Sequence, residues 1–326
     1  MENDMTESNI DLDFAKSCAS TNFNKSTLVI ANSILETLHE LYEYKPFTIR
    51  QVYYQQVAKG IIPNNKATYR SVSRLLVKLR ENDIVPWNLI ADNTRRTTDK
   101  RGHSNVEEWL REKLNYLDPK YYGRCYVQKQ DVYIEVSTEK DALASIIDDE
   151  IWEYCTRLNI VRGQVSATHL EKMSQRFDAA VMRGQTPVLL HFGDLDPSGI
   201  AIPKAIRKNL LERHSVDVDV RHVALTPEQV KHFELLTSPD AVKTEDPNYK
   251  KWIKAFGQEQ VAVELDALHP KQLRQLLREA LHNTYNIDSF DPEIQKEKEE
   301  RKIVNEVKQD MLALLYDSYD MNFYGE

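Results

Sequence analysis

Carboxylates follow three of the strands that the sequence predicts, and their spacing indicates a metal site. Because the carboxyl ends of strands in an open α/β sheet meet where ligands bind, we expect these side chains to lie close together. Two acids spaced i, i+2 in extended chain point to the same side and repel each other unless a cation or a proton joins them. Oxygen ligands without His or Cys favour Mg²⁺ or Mn²⁺ over Zn²⁺. The acids concerned are Glu139, Asp194, Asp196, Glu264 and Asp266.

Two alternatives to this interpretation remain open. An Asp-x-Asp followed by Pro197, Ser198 and Gly199 is also typical of a turn or a helix cap. Glu135 is a second candidate for the first acid of the set, in place of Glu139. Its position in the middle of a predicted strand favours Glu139, which follows that strand.

The segments that would position these acids alternate between strand and helix patterns. The predicted strands are 132–136, 187–192, 218–225 and 260–265. The predicted helices are 140–155, 200–214 and 293–316. Such alternation is typical of an α/β domain with a mainly parallel sheet. We expect this domain over 126–285 and a helical extension over 286–326.

The sequence before this domain predicts helices and a basic extension. The predicted helices are 26–44, 48–60, 66–82 and 106–117. Ser26 is the expected N-cap of the first, and a polar loop occupies 93–102. Three helices with a short turn between the second and third, followed by an extended basic segment, are typical of a winged helix-turn-helix. We expect this DNA-binding domain over 26–125, after a disordered lead-in over 1–25.

One face of the third predicted helix is basic. Arg70, Arg74 and Lys78 recur at i, i+4 and i+8, so they form one stripe. In a recognition helix this stripe would contact DNA, and Arg95 and Arg96 would reach phosphates from the wing. The alternative is a solvated face with no ligand.

Two adjacent tyrosines on the second predicted helix differ in their expected exposure. At about 100° per residue, Tyr53 falls in an apolar sector with Val52 and Val57, whereas Tyr54 falls outside it, beside Arg50 one turn earlier. We therefore predict that Tyr53 is a core residue and that Tyr54 presents an exposed hydroxyl near a cation. Packing of Tyr54 against a neighbouring helix, or contact with a phosphate, is the alternative.

Charge is unevenly distributed over this chain of 326 residues, whose net charge is −8. Residues 45–130 hold 17 Lys and Arg against 8 Asp and Glu, which leaves 26 against 43 in the rest of the chain. A basic segment within an acidic chain is expected of a DNA-contacting domain joined to one that holds cations. The alternative is an uneven distribution of surface charge that binds no ligand, which would give the same numbers of basic and acidic residues.

Other patterns exclude several classes of protein. Neither G-x-x-x-x-G-K-[ST] nor G-x-G-x-x-G occurs, so no ATP or dinucleotide site of these types is expected. Cys18, Cys125 and Cys155 show no C-x-x-C spacing, which argues against a zinc knuckle or a disulfide framework. The chain has no run of about 18 apolar residues and begins with a polar, acidic segment. We expect a cytoplasmic protein without a membrane span.

Four motifs occur in an order that resembles a known family. The motifs are Thr48-Ile-Arg50-Gln-Val-Tyr53-Tyr54, Glu139-Lys140-Asp-Ala, Gly193-Asp194-Leu-Asp196-Pro-Ser-Gly199 and Val263-Glu264-Leu-Asp266-Ala-Leu. This order resembles the A subunit of topoisomerase VI and its meiotic double-strand-break relative, in which a winged helix precedes a Toprim domain. It is also similar to Toprim proteins of phages and mobile elements, and more loosely to the nuclease subunit of the Wadjet plasmid-defence system.

The resemblance implies a nucleophile and a metal site for DNA cleavage. Tyr54 matches the tyrosine that attacks a phosphodiester and forms a phosphotyrosyl link, and Lys140 or Arg50 would stabilise charge on the reacting oxygens. Glu139, Asp194 and Asp196 match the Mg²⁺-binding acids of the family. A further acidic motif near the same site is matched by Glu264 and Asp266. The resemblance also implies a homodimer acting on double-stranded DNA, with a separate ATPase subunit for full topoisomerase activity.

Two rival functions belong to other classes. The first is a hydrolytic Toprim endonuclease, for a mobile element or for defence, in which water attacks and Tyr54 is structural. The second is a DNA-binding protein without catalytic activity, for which the basic stripe would suffice.

Overall fold

The computed structural model describes residues 23–91, 102–161, 163, 165–236, 244–257 and 262–319. These residues form a mixed α/β structure with a four-stranded, all-parallel sheet, so the predicted α/β class is confirmed. They divide into two compact units, which we name the sheet unit and the C-terminal unit. Within the described residues, the sheet unit takes in 23–91, 131–151 and 156–281, and the C-terminal unit takes in 102–130, 152–155 and 282–319.

Three helices open the sheet unit, as predicted. They are α1 (Lys25–Glu40), α2 (Ile49–Ala58) and α3 (Lys66–Glu81). Ser26 is not the N-cap of α1, because the helix begins one residue earlier and the Asn24 side chain accepts the Thr27 N–H at 2.8 Å. Thr48 caps α2 in a capping box with Gln51, in which the Thr48 hydroxyl accepts the Gln51 N–H at 3.0 Å.

These helices bury a shared apolar core, which fixes the direction of α2. Its members include Ile34 and Leu38 of α1, Val52 of α2, and Leu76 and Leu79 of α3, each no more than 2% exposed. Burial of several such side chains is worth about 1.5–3 kcal/mol each, before the entropy of ordering the chain is counted. The core therefore holds α2 as part of the fold rather than as a mobile arm.

The remaining elements follow in chain order. They are α4 (Val106–Asn115), β1 (Val132–Thr138), α5 (Ala144–Ile151), β2 (Arg157–Ile160), α6 (Ala167–Met182), β3 (Thr186–Phe192), α7 (Pro197–His214), β4 (Asp219–Ala224), α8 (Pro227–His232), α9 (Tyr249–Phe256), α10 (Pro270–His282) and α11 (Asp291–Tyr319). The strand order is β2-β1-β3-β4, and every neighbouring pair is parallel. The ends of the central strands β1 and β3 therefore meet at one edge of the sheet.

Three expectations about these elements need correction. The predicted helix 140–155 is interrupted, since a 3₁₀ turn (Asp141–Leu143) precedes α5 and α5 ends at Ile151. Strand β2 escaped prediction because its four residues mix charged, polar and apolar types. In the predicted strand 260–265, Val263 forms only an isolated antiparallel bridge with Leu195. A 3₁₀ turn, Leu265–Ala267, then begins at Leu265.

Helices α6 and α7 cover one face of the sheet. Leu189 of β3 and Val218 pack in a buried cluster with Phe177 of α6 and with Ile206 and Leu210 of α7. Each of these five side chains is no more than 1% exposed. This packing positions α7, whose first turn directly follows the acids at the end of β3.

Polar contacts to α11 help to hold the C-terminal unit together. The Arg124 guanidinium lies 2.5 Å from a carboxylate oxygen of Glu293 and 2.5 Å from one of Glu300. The Tyr126 hydroxyl donates to Glu297 at 2.6 Å. Three successive turns of α11 thus bind the segment around Arg124.

Candidate functional site

The acids after β1 and β3 meet through a backbone contact. Glu139 follows the last residue of β1, and its Oε1 accepts the Asp194 N–H at 2.7 Å. Asp194 in turn accepts the Leu265 N–H at 2.7 Å with its Oδ1. We call the segments around Glu139, around Asp194 and around Glu264 the first, second and third acidic segments. The Glu139 carboxylate joins the first to the second, and the Asp194 carboxylate joins the second to the third. The expected convergence of these segments is what the structure shows.

Lys140 lies among these carboxylates. Its Nζ is 2.8 Å from Asp194 Oδ2, 3.5 Å from Asp266 Oδ2 and 4.0 Å from Glu264 Oε2. The side chain is 17% exposed, so these attractions act in a partly desolvated setting. A single ammonium group therefore balances acids from both later segments.

Asp196 has a structural role as well as a candidate ligand role. It is the N-cap of α7, and its Oδ1 accepts the Gly199 N–H at 2.6 Å. A Cβ at Gly199 would lie 2.2 Å from the Asp194 carbonyl oxygen, so this turn requires glycine. The Pro197-Ser198-Gly199 sequence is thus a helix start, which the alternative interpretation of the motif anticipated.

Helix α2 contacts the third acidic segment from the other side. Arg50 forms an ion pair and hydrogen bond with Glu264. The Thr48 hydroxyl donates to Asp266 Oδ1 at 3.1 Å. The sequence identified Arg50 as a candidate site residue but not Thr48. The capping-box spacing of Thr48 predicts its role at the start of α2 and gives no sign of its hydrogen bond to Asp266.

Burial and mutual repulsion disfavour the ionised forms of the central acids. Burial raises the pKa of Asp194 to about 7 although Lys140 lowers it, and Glu139 adds to the rise. Burial also raises the pKa values of Glu139 and Asp196. Burial alone would lower the pKa of Lys140, but the neighbouring carboxylates hold it above its ordinary value. The site therefore carries acids that a further cation would help to ionise.

The side chains at this edge fit a hard divalent cation in their chemistry. The donors are carboxylate oxygens, and the Asp266 Oδ2 atom is buried and accepts no hydrogen bond from any residue that the structure describes. In the described ranges, however, no three His, Cys, Asp or Glu side chains stand in a ready arrangement for an ion. Lys140 instead lies between them.

Glu135, the competing candidate for the first acid, is fully engaged elsewhere. It is completely buried, and Arg176 binds both its carboxylate oxygens, at 2.5 and 2.8 Å. Asn159 donates to it at 2.7 Å and Tyr133 at 2.8 Å. This pairing on one face of the sheet satisfies a buried charge, and it leaves Glu139 as the acid that faces Asp194.

The prediction that Tyr54 exposes its hydroxyl is wrong. Tyr54 is only 5% exposed, and its ring packs edge-on against Tyr53 at a centroid distance of 5.3 Å. The prediction that Tyr53 belongs to the core is confirmed, at 4% exposure. Besides α1 and α3, helix α2 also packs against the Leu265–Ala267 turn.

The basic stripe of α3 is exposed as predicted. Arg70, Arg74 and Lys78 are all exposed, on the side of the helix away from its buried leucines. None of the three makes an ion pair with a residue in the described ranges. Arg95 and Arg96, which were expected in the wing, lie outside the described residues.

Comparison with known proteins gives no relative: no protein-family model, no curated protein and no solved structure matches this chain. None of the helices described here has the length and apolar character needed to cross a membrane.

Proposed function

We propose that this protein cleaves DNA phosphodiester bonds by metal-dependent hydrolysis at the acidic edge of its sheet. The observation that carries the proposal is the contact of Glu139 with Asp194, beside Lys140, where β1 and β3 end. Buried carboxylates that share one lysine and have raised pKa values are typical of functional sites rather than of surface ion pairs.

A Mg²⁺ or Mn²⁺ ion would be held by Glu139, Asp194 and Asp196. When bound, such an ion polarises the phosphate and makes the attacking water more acidic. The Lys140 ammonium group then adds positive charge where negative charge develops on the phosphate oxygens. Lys140 also limits repulsion among the acids before substrate binds, because it pairs with Asp194.

The α3 stripe supports DNA as the substrate. Exposed Arg70, Arg74 and Lys78 form a row of cations on one helix, in a chain whose net charge is −8. Such a row binds phosphates without reading bases, and it orients a duplex on the protein. Double-stranded DNA is therefore the proposed substrate.

Burial of Tyr54 favours water as the nucleophile. A tyrosine that attacks phosphorus must bring its hydroxyl in line with the leaving oxygen. Tyr54 is only 5% exposed, whereas the edge at Glu139 and Glu264 is partly exposed to water.

A second candidate is transesterification by Tyr54, which the position of α2 favours. The first turn of this helix contacts the acidic segment through Arg50 and Glu264, so Tyr54 lies one turn from the site. In this reaction the Tyr54 oxygen bonds to phosphorus as the bond between phosphorus and the sugar oxygen breaks; the tyrosine loses its proton, and the sugar oxygen takes up a proton and departs as a hydroxyl. A homodimer and a separate ATPase subunit belong to this candidate alone.

One experiment separates these candidates. Supercoiled plasmid is incubated with Mg²⁺ or Mn²⁺, denatured with and without protease, and resolved on a gel, for the wild type and for Glu139→Gln, Tyr54→Phe and Glu279→Gln. Glu279 is an exposed residue of α10 and serves as the matched control. For hydrolysis we expect Glu139→Gln to lose at least about 100-fold in cleavage rate while Tyr54→Phe retains it.

The other outcomes overturn the proposal. Loss of cleavage in Tyr54→Phe, with DNA that enters the gel only after protease, establishes transesterification. Binding that weakens steeply with salt, without metal-dependent cleavage at any protein concentration, leaves a DNA-binding protein.

A further inference from the structure

A cavity opens beside the acidic edge, in the sheet unit. It has a volume of about 440 Å³ and lies between α7 and α9, so we name it the α7–α9 groove. Its lining includes Pro197 and Ser198, the two residues that follow Asp196, and also Gly163, Val165 and Leu170. Ser198 also donates a hydrogen bond to Asp246 at 2.5 Å, which ties the segment before α9 to the first turn of α7. The volume lies in the range of small-ligand sites, about 300–1,000 Å³.

The charge of the α7–α9 groove is opposite in sign to that of the whole chain. Lys204 and Lys208 lie one turn apart on α7, and Lys251 lines the groove from α9. Among the lining residues that the structure describes, none is Asp or Glu. Lys204 and Lys251 form no ion pair with any described residue, and Lys208 has only an exposed contact with Glu212 at 3.9 Å. Three lysines on the lining create a local site for an anion in a chain of net charge −8, with Asp246 bonded to Ser198 at one end of the groove.

The floor of the α7–α9 groove is apolar and partly aromatic. Ile200 and Ala201 contribute from α7, and Trp252 and Phe256 from α9. The two aromatic rings have centroids 6.3 Å apart and are inclined at 55°. Trp252 is 3% exposed, so Phe256, which is partly exposed, provides the accessible aromatic surface of the groove. A flat, uncharged ring system is the ligand moiety that fits such a floor.

We propose that the α7–α9 groove binds one unpaired nucleotide of the DNA strand, with its phosphate on the lysines and its base on the apolar floor. A positively charged groove that also offers aromatic side chains is the general arrangement for single-stranded nucleic acid. A paired base cannot enter a cavity of this volume with its partner, so the nucleotide must be unpaired, which in duplex DNA requires that it be flipped out of the stack. The inference rests on the proposed function, because it names how the strand is held beside Asp196.

A photocrosslinking experiment tests where the nucleotide binds, and it does not depend on cleavage activity. Single-stranded DNA that carries 5-iodouracil is bound to the Glu139→Gln variant in EDTA and irradiated, and the crosslinked peptide is identified by mass spectrometry. We expect attachment within Tyr249–Phe256 and competition by thymidine monophosphate, with weaker competition by inorganic phosphate or thymidine alone. Crosslinks confined to peptides of α2 and α3, or absent, overturn the inference.

Charge reversal provides a second readout. We expect Lys204→Glu with Lys251→Glu to weaken single-strand binding, measured by fluorescence anisotropy in EDTA, by at least about tenfold. The matched control is Lys172→Glu with Lys231→Glu, two exposed lysines of the sheet unit outside the groove. Equal weakening in both pairs overturns the inference. If the protein crosslinks in the groove but never cuts plasmid, this inference stands and the proposed function fails. If it cuts plasmid but does not crosslink in the groove, the proposed function stands and this inference fails.

Discussion

The Nζ atom of Lys140 lies 2.8 Å from Oδ2 of Asp194, at the point where the ends of β1 and β3 meet. The side chains of both residues are largely buried, at 17% and 13% exposure. A buried carboxylate without a counter-ion is costly, so this lysine is what allows the acids to lie together in the folded chain. The same pair that stabilises the edge of the sheet also prepares it to hold a phosphate.

Removal of the Lys140 charge should destabilise the protein, and more so at higher pH. We expect Lys140→Met to lower the free energy of unfolding by about 3–5 kcal/mol, because it leaves buried carboxylates unpaired. A carboxyl whose pKa is raised by folding, as that of Asp194 is to about 7, binds its proton more tightly in the folded state. Stability therefore falls as pH rises through that pKa, and loss of Lys140 enlarges the fall.

Urea denaturation at pH 5 and pH 8 measures this effect. The matched control is Lys172→Met, since Lys172 is exposed on α6 and should change stability little at either pH. Equal losses for Lys140→Met at the two pH values would show that the lysine packs there without balancing the acids.

Substitution of Gly199 should disturb the turn that carries Asp194 and Asp196. An added Cβ would lie 2.2 Å from the Asp194 carbonyl oxygen, a backbone atom that cannot rotate away. We expect Gly199→Ala to cost about 1–3 kcal/mol, although alanine within a helix normally gains about 1 kcal/mol over glycine. Thermal unfolding of Gly199→Ala beside Gly123→Ala, where no atom lies within 4 Å, measures the cost. A Gly199→Ala protein as stable as the wild type would contradict the required close approach.

Local patterns in the sequence were enough to predict the central part of this site. The runs that became β1 and β3 are rich in apolar residues apart from Glu135 and His191, and parallel strands bring Glu139 and Asp194 to one edge of the sheet. The bond between Thr48 and Asp266 joins residues 218 positions apart, and no local period encodes such a pair.

Tyr54 shows why helical periodicity alone can misassign a face. The period correctly identified the side of α2 that packs on α1 and α3, which contains Tyr53. A second surface, the Leu265–Ala267 turn, also packs against α2, and Tyr54 is buried although the period predicts it to be exposed. That turn comes from a segment whose pattern predicts a strand. Its Leu265 N–H pairs with the Asp194 carboxylate instead of with a neighbouring strand.

Neutralising the α3 stripe should weaken DNA binding and reduce its dependence on salt. Removing one cation that binds a phosphate should lower the slope of log affinity against log salt by about 0.9 for duplex DNA. We expect this change for Arg70→Ala, Arg74→Ala and Lys78→Ala, measured by fluorescence anisotropy over a salt series. Lys172→Ala, an exposed lysine on α6, is the matched control. An unchanged slope in the three variants would leave the stripe as a solvated face.

Acid should loosen the C-terminal unit through Glu293. Hydrogen bonds from Arg124 and Lys129 lower the pKa of Glu293 from 4.5 to about 2. A carboxyl with a pKa lowered by folding contributes stability above its unfolded pKa, and this contribution is lost as pH falls through the folded value. We expect the helical circular-dichroism signal of α11 to become less stable to heat between about pH 4.5 and pH 2.

The variant Glu293→Gln tests whether this carboxylate is the group that titrates. It keeps the size of the side chain but cannot ionise, so its melting temperature should change less over that pH interval than that of the wild type. Glu297 and Glu300, whose pKa values are also lowered, retain part of the dependence. Glu299→Gln is the matched control, since Glu299 is exposed on the same helix. If the melting temperatures of Glu293→Gln and Glu299→Gln depend on pH in the same way, the ion pair of Glu293 with Arg124 does not stabilise the C-terminal unit. The buried end of α11 is then held by packing instead.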